Sequence, residues 1–330
     1  MVKDRIFSGI QNSGHLTIGN YLGALSNFTK QQEKFECYYC IVDMHALTSG
    51  VNKEELRNYA LEVLSLYLAS GLDYEKSTIF FQSHVSAHAE LQWILNSITP
   101  LGQLSRMTQY KSKSEQHADN LYAGLLNYPI LMAADIILYD AKYVPVGDDQ
   151  RQHMELTRDL VEKFNYLYGD TFVVPEMLST DTGSRIMSLQ NPAAKMSKSD
   201  PDELGYISML DNPKLIEKKI KRAVTDSLNH FDYNDDQLGL RNLIEIYTSF
   251  TGDSVEEVVN RYRDSGYGKF KSDLASVVAD MLKPIQDSFN IYISDKGELE
   301  RIYRDGAKRA REVADKKLAE VFEKIGFIAK

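Results

Sequence analysis

Ser8-Gly9-Ile10-Gln11-Asn12-Ser13-Gly14-His15-Leu16-Thr17-Ile18-Gly19-Asn20-Tyr21-Leu22-Gly23 joins a short apolar run, Ile6-Phe7, to helix-compatible sequence from about Thr17 onward. A strand, a glycine-bearing turn and a helix start, in that order, predict a cradle for an anion. The first N–H groups of a helix lack partners within it, and the helix dipole favours negative charge there. The glycines do not follow G-x-G-x-x-G, and no G-x-x-x-x-G-K-[ST] occurs, so neither common nucleotide pattern applies. Taken alone, the loop predicts an anion near the N-terminus and no more.

Outward from this loop, strands and helices alternate. Residues 20–32 read as a helix with Leu22, Leu25 and Phe28 on one face, and 38–42 as a buried strand ending at Asp43-Met44-His45. Asn52 or Thr48 can cap a helix over 53–70 that stops at Gly71, and Ser77-Thr78-Ile79-Phe80-Phe81-Gln82 is a further strand. The β-α-β-α-β order predicts an α/β fold, a parallel sheet covered by helices on both faces. Such sheets take ligands just past the carboxyl ends of their strands. His45 lies at such an end, where a ligand contact and a histidine satisfied by its own chain read equally well.

Beyond residue 84 the pattern is mostly helical. His84 and His88, four apart, can share a helix face, but H-E-x-x-H is absent and no third ligand is evident, so no metal is expected there. Gln109-Tyr110-Lys111-Ser112-Lys113-Ser114-Glu115-Gln116 reads as an exposed loop, its lysines solvated unless Lys111 or Lys113 meets a phosphate. Pro129 suits the first turn of an apolar helix through Leu131-Met132-Ala133-Ala134-Asp135-Ile136-Ile137-Leu138-Tyr139. Asp135 lies too deep in it to cap, and a carboxylate in apolar surroundings needs a partner. That partner is either another group of the chain or a ligand, for Tyr128, Met132 and Asp135 recur at one-face spacing.

Tyr143-Val144-Pro145-Val146 reads as a short strand, followed by Gly147-Asp148-Asp149-Gln150 and a helix to about Tyr168. The acidic pair can hold a ribose, an ammonium or a metal, or simply cap the helix. Lys195-Met196-Ser197-Lys198-Ser199-Asp200-Pro201 is a cationic loop able to fold over a polyphosphate, although a lone lysine pair is ordinarily just solvated. From Glu203 on, helical periodicity dominates, with basic clusters at Lys214, Lys218, Lys219, Lys221 and Arg222 and again at Arg301, Arg304, Lys308, Arg309 and Arg311.

The 330 residues carry a formal net charge of −9, with 43% hydrophobic and 26% charged residues. That is ordinary globular composition and argues against an unstructured basic nucleic-acid binder. No secretory signal and no membrane-length apolar run is visible, so a cytoplasmic protein is expected. The two cysteines form Cys37-Tyr38-Tyr39-Cys40 within a β-rich run, where residues three apart point to opposite faces. Two buried thiols are expected, not a redox or zinc site.

Two motifs taken together carry a family resemblance. Thr17-Ile18-Gly19-Asn20 resembles the HIGH-type motif of class I aminoacyl-tRNA synthetases, and Lys195-Met196-Ser197-Lys198-Ser199 matches their KMSKS motif. With Ser8-Gly9-Ile10-Gln11, Leu131-Met132-Ala133-Ala134-Asp135-Ile136, Pro145-Val146-Gly147, Asp149-Gln150 and Ala223-Val224-Thr225-Asp226-Ser227, the chain resembles the bacterial-type tryptophanyl-tRNA synthetases over essentially its whole length. Asn12 departs from the proline usual at that position.

The resemblance implies a Rossmann-like catalytic domain over 1–195, with a helical insertion at about 85–140. A second, all-helical domain over 196–330 would bind the tRNA anticodon, its last helix packing back on the first domain. It implies ATP with Mg²⁺, L-tryptophan and tRNA(Trp) as partners, a homodimer, and no metal ligands of the chain's own. Gln11, Asn12, Ser13, Gly19, Asn20, Lys113, Gly147, Asp148, Asp149, Ile186, Lys195, Met196, Ser197, Lys198 and Ser199 would bind ATP. Thr17, Asn20, Lys195 and Lys198 would serve catalysis, and Asp135, Phe7, His45, Tyr128, Met132 and Gln150 would bind tryptophan, Asp135 accepting the indole N–H. The alternatives are a tyrosyl-tRNA synthetase, disfavoured by Gly9-Ile10-Gln11, and a non-catalytic relative that binds tryptophan or tRNA.

Overall fold

In the computed structural model, which describes residues 3–116, 122–178, 185–198, 200–228 and 230–328, the first apolar run is strand β1 (Arg5–Ile10). The glycine loop leads into helix α1 (Ile18–Asn20), a π-helical turn (Tyr21–Leu25) and α2 (Ser26–Lys34). The helix predicted over 20–32 thus starts earlier, at Ile18, and contains one wide turn. β2 (Glu36–Ile41) pairs parallel with β1, Ile6 opposite Cys37 and Ile10 opposite Ile41. Cys37, Tyr39 and Ile41 enter the core on one face of the sheet, and Tyr38 and Cys40 enter it on the other. Alternation along a strand buried on both sides produces this split. Both cysteines are free and buried, and burial pushes both thiol pKa values up.

α3 (Asp43–Ala46) begins where β2 ends and runs into a 3₁₀ turn, Leu47–Ser49. Asn52 caps α4 (Lys53–Ala69) by accepting from the N–H groups of Glu54 and Glu55. β3 (Ser77–Phe81) lies parallel to β2, and a 3₁₀ turn, Gln82–His84, follows it. Next come α5 (Ala87–Ile98), α6 (Leu101–Ser105), α7 (Thr108–Gln116) and α8 (Ala123–Ile137). Three expectations are corrected in this stretch. The polar run 109–116 is helix α7, not a loop; its lack of an apolar stripe hid it. His84 and His88 fall on different helical segments. Pro129 sits inside α8, which starts at Ala123, so the proline forgoes one helical hydrogen bond instead of opening the helix.

β4 (Tyr143–Val144) returns to the free side of β1, and β5 (Glu176–Met177) lies beyond it. The strand order is β3-β2-β1-β4-β5, all parallel. The strand expected over 143–146 keeps only its first two residues in the ladder. Between these strands run a 3₁₀ turn, Asp148–Gln150, and α9 (Arg151–Tyr168), and no side chain caps either one, so neither Asp148 nor Asp149 is an N-cap. The chain leaves β1 for β2 on one side and comes back as β4 on the other, which opens a crevice at the carboxyl end of β1.

Residues 186–196 form a narrow hairpin, with Met187 bridged antiparallel to Lys195. A 3₁₀ turn, Glu203–Gly205, then precedes α10 (Pro213–Lys221), α11 (Leu238–Thr251), α12 (Val255–Tyr262), α13 (Gly266–Ser294) and α14 (Lys296–Ile325). One core face of the sheet joins Ile6, Tyr39 and Ile79 to Leu243, Phe270 and Leu282. The other joins Phe7, Phe80, Ile137 and Phe164 to Ala310, Ala314 and Leu318 of α14. Where α14 crosses β3, a Cβ at Gly306 would lie 1.8 Å from the carbonyl oxygen of Ile79, so only glycine allows the approach. One turn on, the Arg309 guanidinium donates to the carbonyls of Tyr74 and Ser77. These contacts cover the edge of β3 that no strand pairs with. Among the described residues, no helix is long and apolar enough to cross a membrane.

Candidate active site

A cleft of about 410 Å³ opens at the carboxyl ends of β1 and β4. Its floor comes from Phe7, Ser8, Gly9 and Ile10 of β1 with Val144 of β4; α8 contributes Tyr128, Met132, Asp135 and Ile136 to its wall, and Lys195 and Lys198 stand at its mouth. The i, i+4, i+7 spacing does bring Tyr128, Met132 and Asp135 to one surface, because residues so spaced share a helix face.

Asp135 is 1% exposed, and its carboxylate is surrounded by donors. Gln82 Nε2 donates to Oδ1 at 2.7 Å, His88 Nδ1 lies 2.6 Å from the same oxygen, and His45 Nε2 lies 2.8 Å from Oδ2. Burial alone would raise the Asp135 pKa; the hydrogen bonds from His45 and His88 outweigh it and bring it down to about 2. An ionised carboxylate only accepts, so both imidazoles donate to it. On its other side, His88 Nε2 lies 2.8 Å from the Tyr139 hydroxyl. Gln82 also accepts from the N–H groups of Met44 and His45 with its Oε1, tying the start of α3 to the carboxylate. Oδ2 has one of these partners to the two of Oδ1, so it retains more acceptor capacity toward the cleft.

The glycine loop is held from both ends. Thr17 Oγ1 accepts from the Asn20 N–H, and Asn20 Oδ1 accepts from the Thr17 N–H and hydroxyl, a reciprocal cap at the start of α1. The Ile18 N–H donates to Ile207 and the Met209 N–H to Leu16. Gly19 lies beneath the lysine hairpin, where an added Cβ would come within 3.7 Å of Ile186 Cβ and 3.8 Å of Met196 Cβ. Gln11 Nε2 donates to the His45 carbonyl and to Ser49 Oγ. Lys198 reaches across to donate to the Gln11 carbonyl at 2.5 Å, and burial pushes its pKa down to about 8. Lys195 Nζ lies 3.6 Å from Asp149 Oδ1. Burial would raise the Asp149 pKa, but a hydrogen bond from Gln150 and the charge of Lys195 lower it.

Of the residues singled out in the sequence, Phe7, Gln11, Asn20, His45, Tyr128, Met132, Asp135, Gln150, Lys195 and Lys198 line this one cleft. Tyr128 Oη lies 2.8 Å from Gln109 Oε1 of α7. Gly19, Ile186 and Met196 pack together beside the cleft, the Met196 N–H donating to the Ile186 carbonyl. Gly147 precedes the 3₁₀ turn holding Asp148 and Asp149, and Asp148 pairs with Arg151 in solvent. Thr17 is buried as a cap and does not line the cleft. Asn12 turns inward to donate to the Leu56 carbonyl, and neither Ser13 nor Ser197 is among the lining residues. Ser199 and the side chain of Lys113 lie outside the described residues. Gln82 and His88 were not foreseen; the one pointer to them was that Asp135 needed partners.

The family model for class I tRNA synthetases (W and Y) matches residues 3–283. A tryptophan–tRNA ligase of Clostridium tetani is 52% identical over 326 residues, 99% of this chain and 96% of that protein. A crystal structure of tryptophanyl-tRNA synthetase from Mycoplasma pneumoniae superposes with a TM-score of 0.91 at 31% identity, covering 98% of each chain. One from Campylobacter jejuni, complexed with ADP and tryptophan, gives 0.84 at 36% identity, covering 98% of this chain and all of that one.

Proposed function

The chain belongs to the class I tRNA synthetases (W and Y), and from that membership we propose that it is an ATP-dependent tryptophan–tRNA ligase. The observation that carries this reading is one cleft holding both a buried, donor-ringed Asp135 and the two lysines Lys195 and Lys198. One end suits an aromatic amino acid with an N–H, and the other suits a polyphosphate.

Tryptophan enters between Phe7, Tyr128 and Met132, with its indole N–H donating to Asp135. His45, Gln82 and His88 fix the carboxylate with Oδ2 holding a single partner, so an amino acid lacking that donor leaves the spare acceptor capacity of a buried oxygen unmet, which costs binding. Gln150 and His45 border the same pocket. ATP lies along the glycine loop with Gln11 and Asn20 beside it, Gly19 and Ile186 under the adenine, and Gly147, Asp148 and Asp149 toward the ribose. The tryptophan carboxylate attacks the α-phosphorus, the bond to the bridging oxygen breaks, and pyrophosphate leaves. Lys195 and Lys198 hold the charge that builds on it, with Met196 and Ser197 as the backbone of that lid. The nucleophile comes from the substrate, so the chain supplies position and preorganised charge. The terminal ribose hydroxyl of the tRNA then attacks the adenylate carbonyl carbon and releases AMP.

Mg²⁺ would accompany the triphosphate, a common way for that ion to bind; among the described residues no three His, Cys, Asp or Glu side chains gather to hold a metal. The helical region 196–330 would carry the tRNA anticodon, and the protein would work in the cytoplasm. A homodimer is supported by large apolar side chains left in solvent on consecutive helices, Trp93 at 75% exposure and Leu101 at 68%. The deciding experiment is ATP–pyrophosphate exchange with tryptophan, tyrosine and phenylalanine in turn. Tryptophan alone should support it; exchange with tyrosine only would reassign the substrate, and binding without exchange would leave a non-catalytic relative.

A further inference from the structure

Met187 and Lys195 face each other in the hairpin, and the hydrogen bonds flank them: Ser188 N–H to the Ala194 carbonyl at 2.8 Å and Met196 N–H to the Ile186 carbonyl at 3.0 Å. In an antiparallel ladder this places the N–H and C=O of Met187 on the outer side, away from its partner strand. There they need other partners. Both are met by one side chain, for Asn242 Oδ1 accepts the Met187 N–H at 2.8 Å and Asn242 Nδ2 donates to the Met187 carbonyl at 2.9 Å. Asn242 belongs to α11 and is 2% exposed. A single amide thus stands in for a missing third strand.

The hairpin's first limb is also tied down further along. The Leu189 N–H donates to Gly205 and its carbonyl accepts from the Val224 N–H, both at 2.8 Å. The backbone of the second limb around Lys195 is joined to the first by the two ladder bonds, while the side chains of Met196, Lys195 and Lys198 reach the core, Asp149 and the Gln11 carbonyl. Its register follows that of the first limb, which Asn242 anchors at Met187, the residue opposite the lysine. We infer that Asn242 is a positioning residue for Lys195: it does not line the cleft, but it fixes the strand residue directly opposite the lysine. Asparagine suits the task because one planar group both accepts and donates, whereas aspartate only accepts and leucine does neither.

This inference rests on the reading that Lys195 stabilises the departing pyrophosphate, and the test separates the two. Tryptophan-dependent exchange is measured for Asn242→Leu, Lys195→Ala and the double variant, with tryptophan affinity and thermal midpoint for each. Loss of register should lower kcat in Asn242→Leu by about 10- to 100-fold, as expected of a misplaced catalytic group, with tryptophan affinity unchanged. The double variant should lose no more than Lys195→Ala alone, because the two act through one group. Multiplying losses, or equal damage to tryptophan binding and turnover, overturns the inference and leaves Lys195 in its role. Full exchange by Lys195→Ala overturns the role of the lysine, and the inference with it. If Asn242→Leu does not fold, Asn242→Asp, which keeps only the acceptor, takes its place in the same cycle.

Discussion

At the scale of the residue, Asp135 and Lys198 carry opposite signals. The Asp135 pKa is lowered from 3.8 to about 2, so the native state holds its proton less tightly than the unfolded chain. Its stabilising contribution is complete above about pH 4 and is lost as the pH falls toward 2. Asp135→Ala should cut kcat/KM for tryptophan by on the order of 100-fold while leaving the KM for ATP nearly unchanged, measured by exchange kinetics; equal losses would remove Asp135 as the indole acceptor. Lys198 is lowered from 10.5 to about 8, so the folded protein binds fewer protons than the unfolded one between those values, and this group makes stability rise with pH across that window. A triphosphate would draw the proton back. ATP binding at pH 8 should therefore take up protons, visible by calorimetry in buffers of different ionisation enthalpy, and the KM for ATP should climb above pH 8. Lys198→Arg, charged throughout, should abolish both effects; proton-neutral binding by the parent protein would show that Lys198 meets no phosphate. Asp135 was legible in the sequence because an acid inside an apolar helix is costly. Gln82, His88 and Asn242 were not, since each acts on a residue some 50 positions away and no local pattern marks that convergence.

At the scale of the element, legibility followed apolar contrast. β2 and β3 were readable because strands buried on both faces are short, near-continuous apolar runs, here rich in aromatic residues and isoleucine. α7 was not, because its Thr108–Gln116 sequence is polar throughout and its helicity depends on its neighbours. It nevertheless brings Gln109 to the cleft wall. α8 was half legible: the apolar run was plain, but an interior proline mimics a helix start. The crossing of α14 over β3 gives the sharpest test at this scale. Gly306→Val would drive side-chain atoms into the Ile79 backbone, a clash no rotamer relieves, and should destabilise by about 3 kcal/mol in urea unfolding. A variant as stable as its parent would mean that α14 does not sit on the strand.

At the scale of the whole molecule, the parallel sheet was legible from the β-α-β-α-β alternation, whereas no local pattern marked which distant helices would cover its two faces, and the return of the last helix came only as what the family resemblance implies. The chain has one tryptophan, Trp93, largely in solvent in a single copy. If the homodimer buries it, dilution through the dissociation range should red-shift its emission as light scattering reports halving of the mass; a monomer at all concentrations would refute the dimer. The order of synthesis adds a constraint of another kind. The five strands of the sheet lie within residues 5–177, yet among the described residues the outer edge of β3 is met by α14, Gly306 and Arg309 included. A nascent chain therefore has all the strands of this sheet, but not the cover of its β3 edge, until α14 has left the ribosome, and open edges recruit other strands. A copy broken off before α14 keeps that edge for good, so an incomplete translation product is marked for aggregation or capture by the same strand that builds the catalytic sheet.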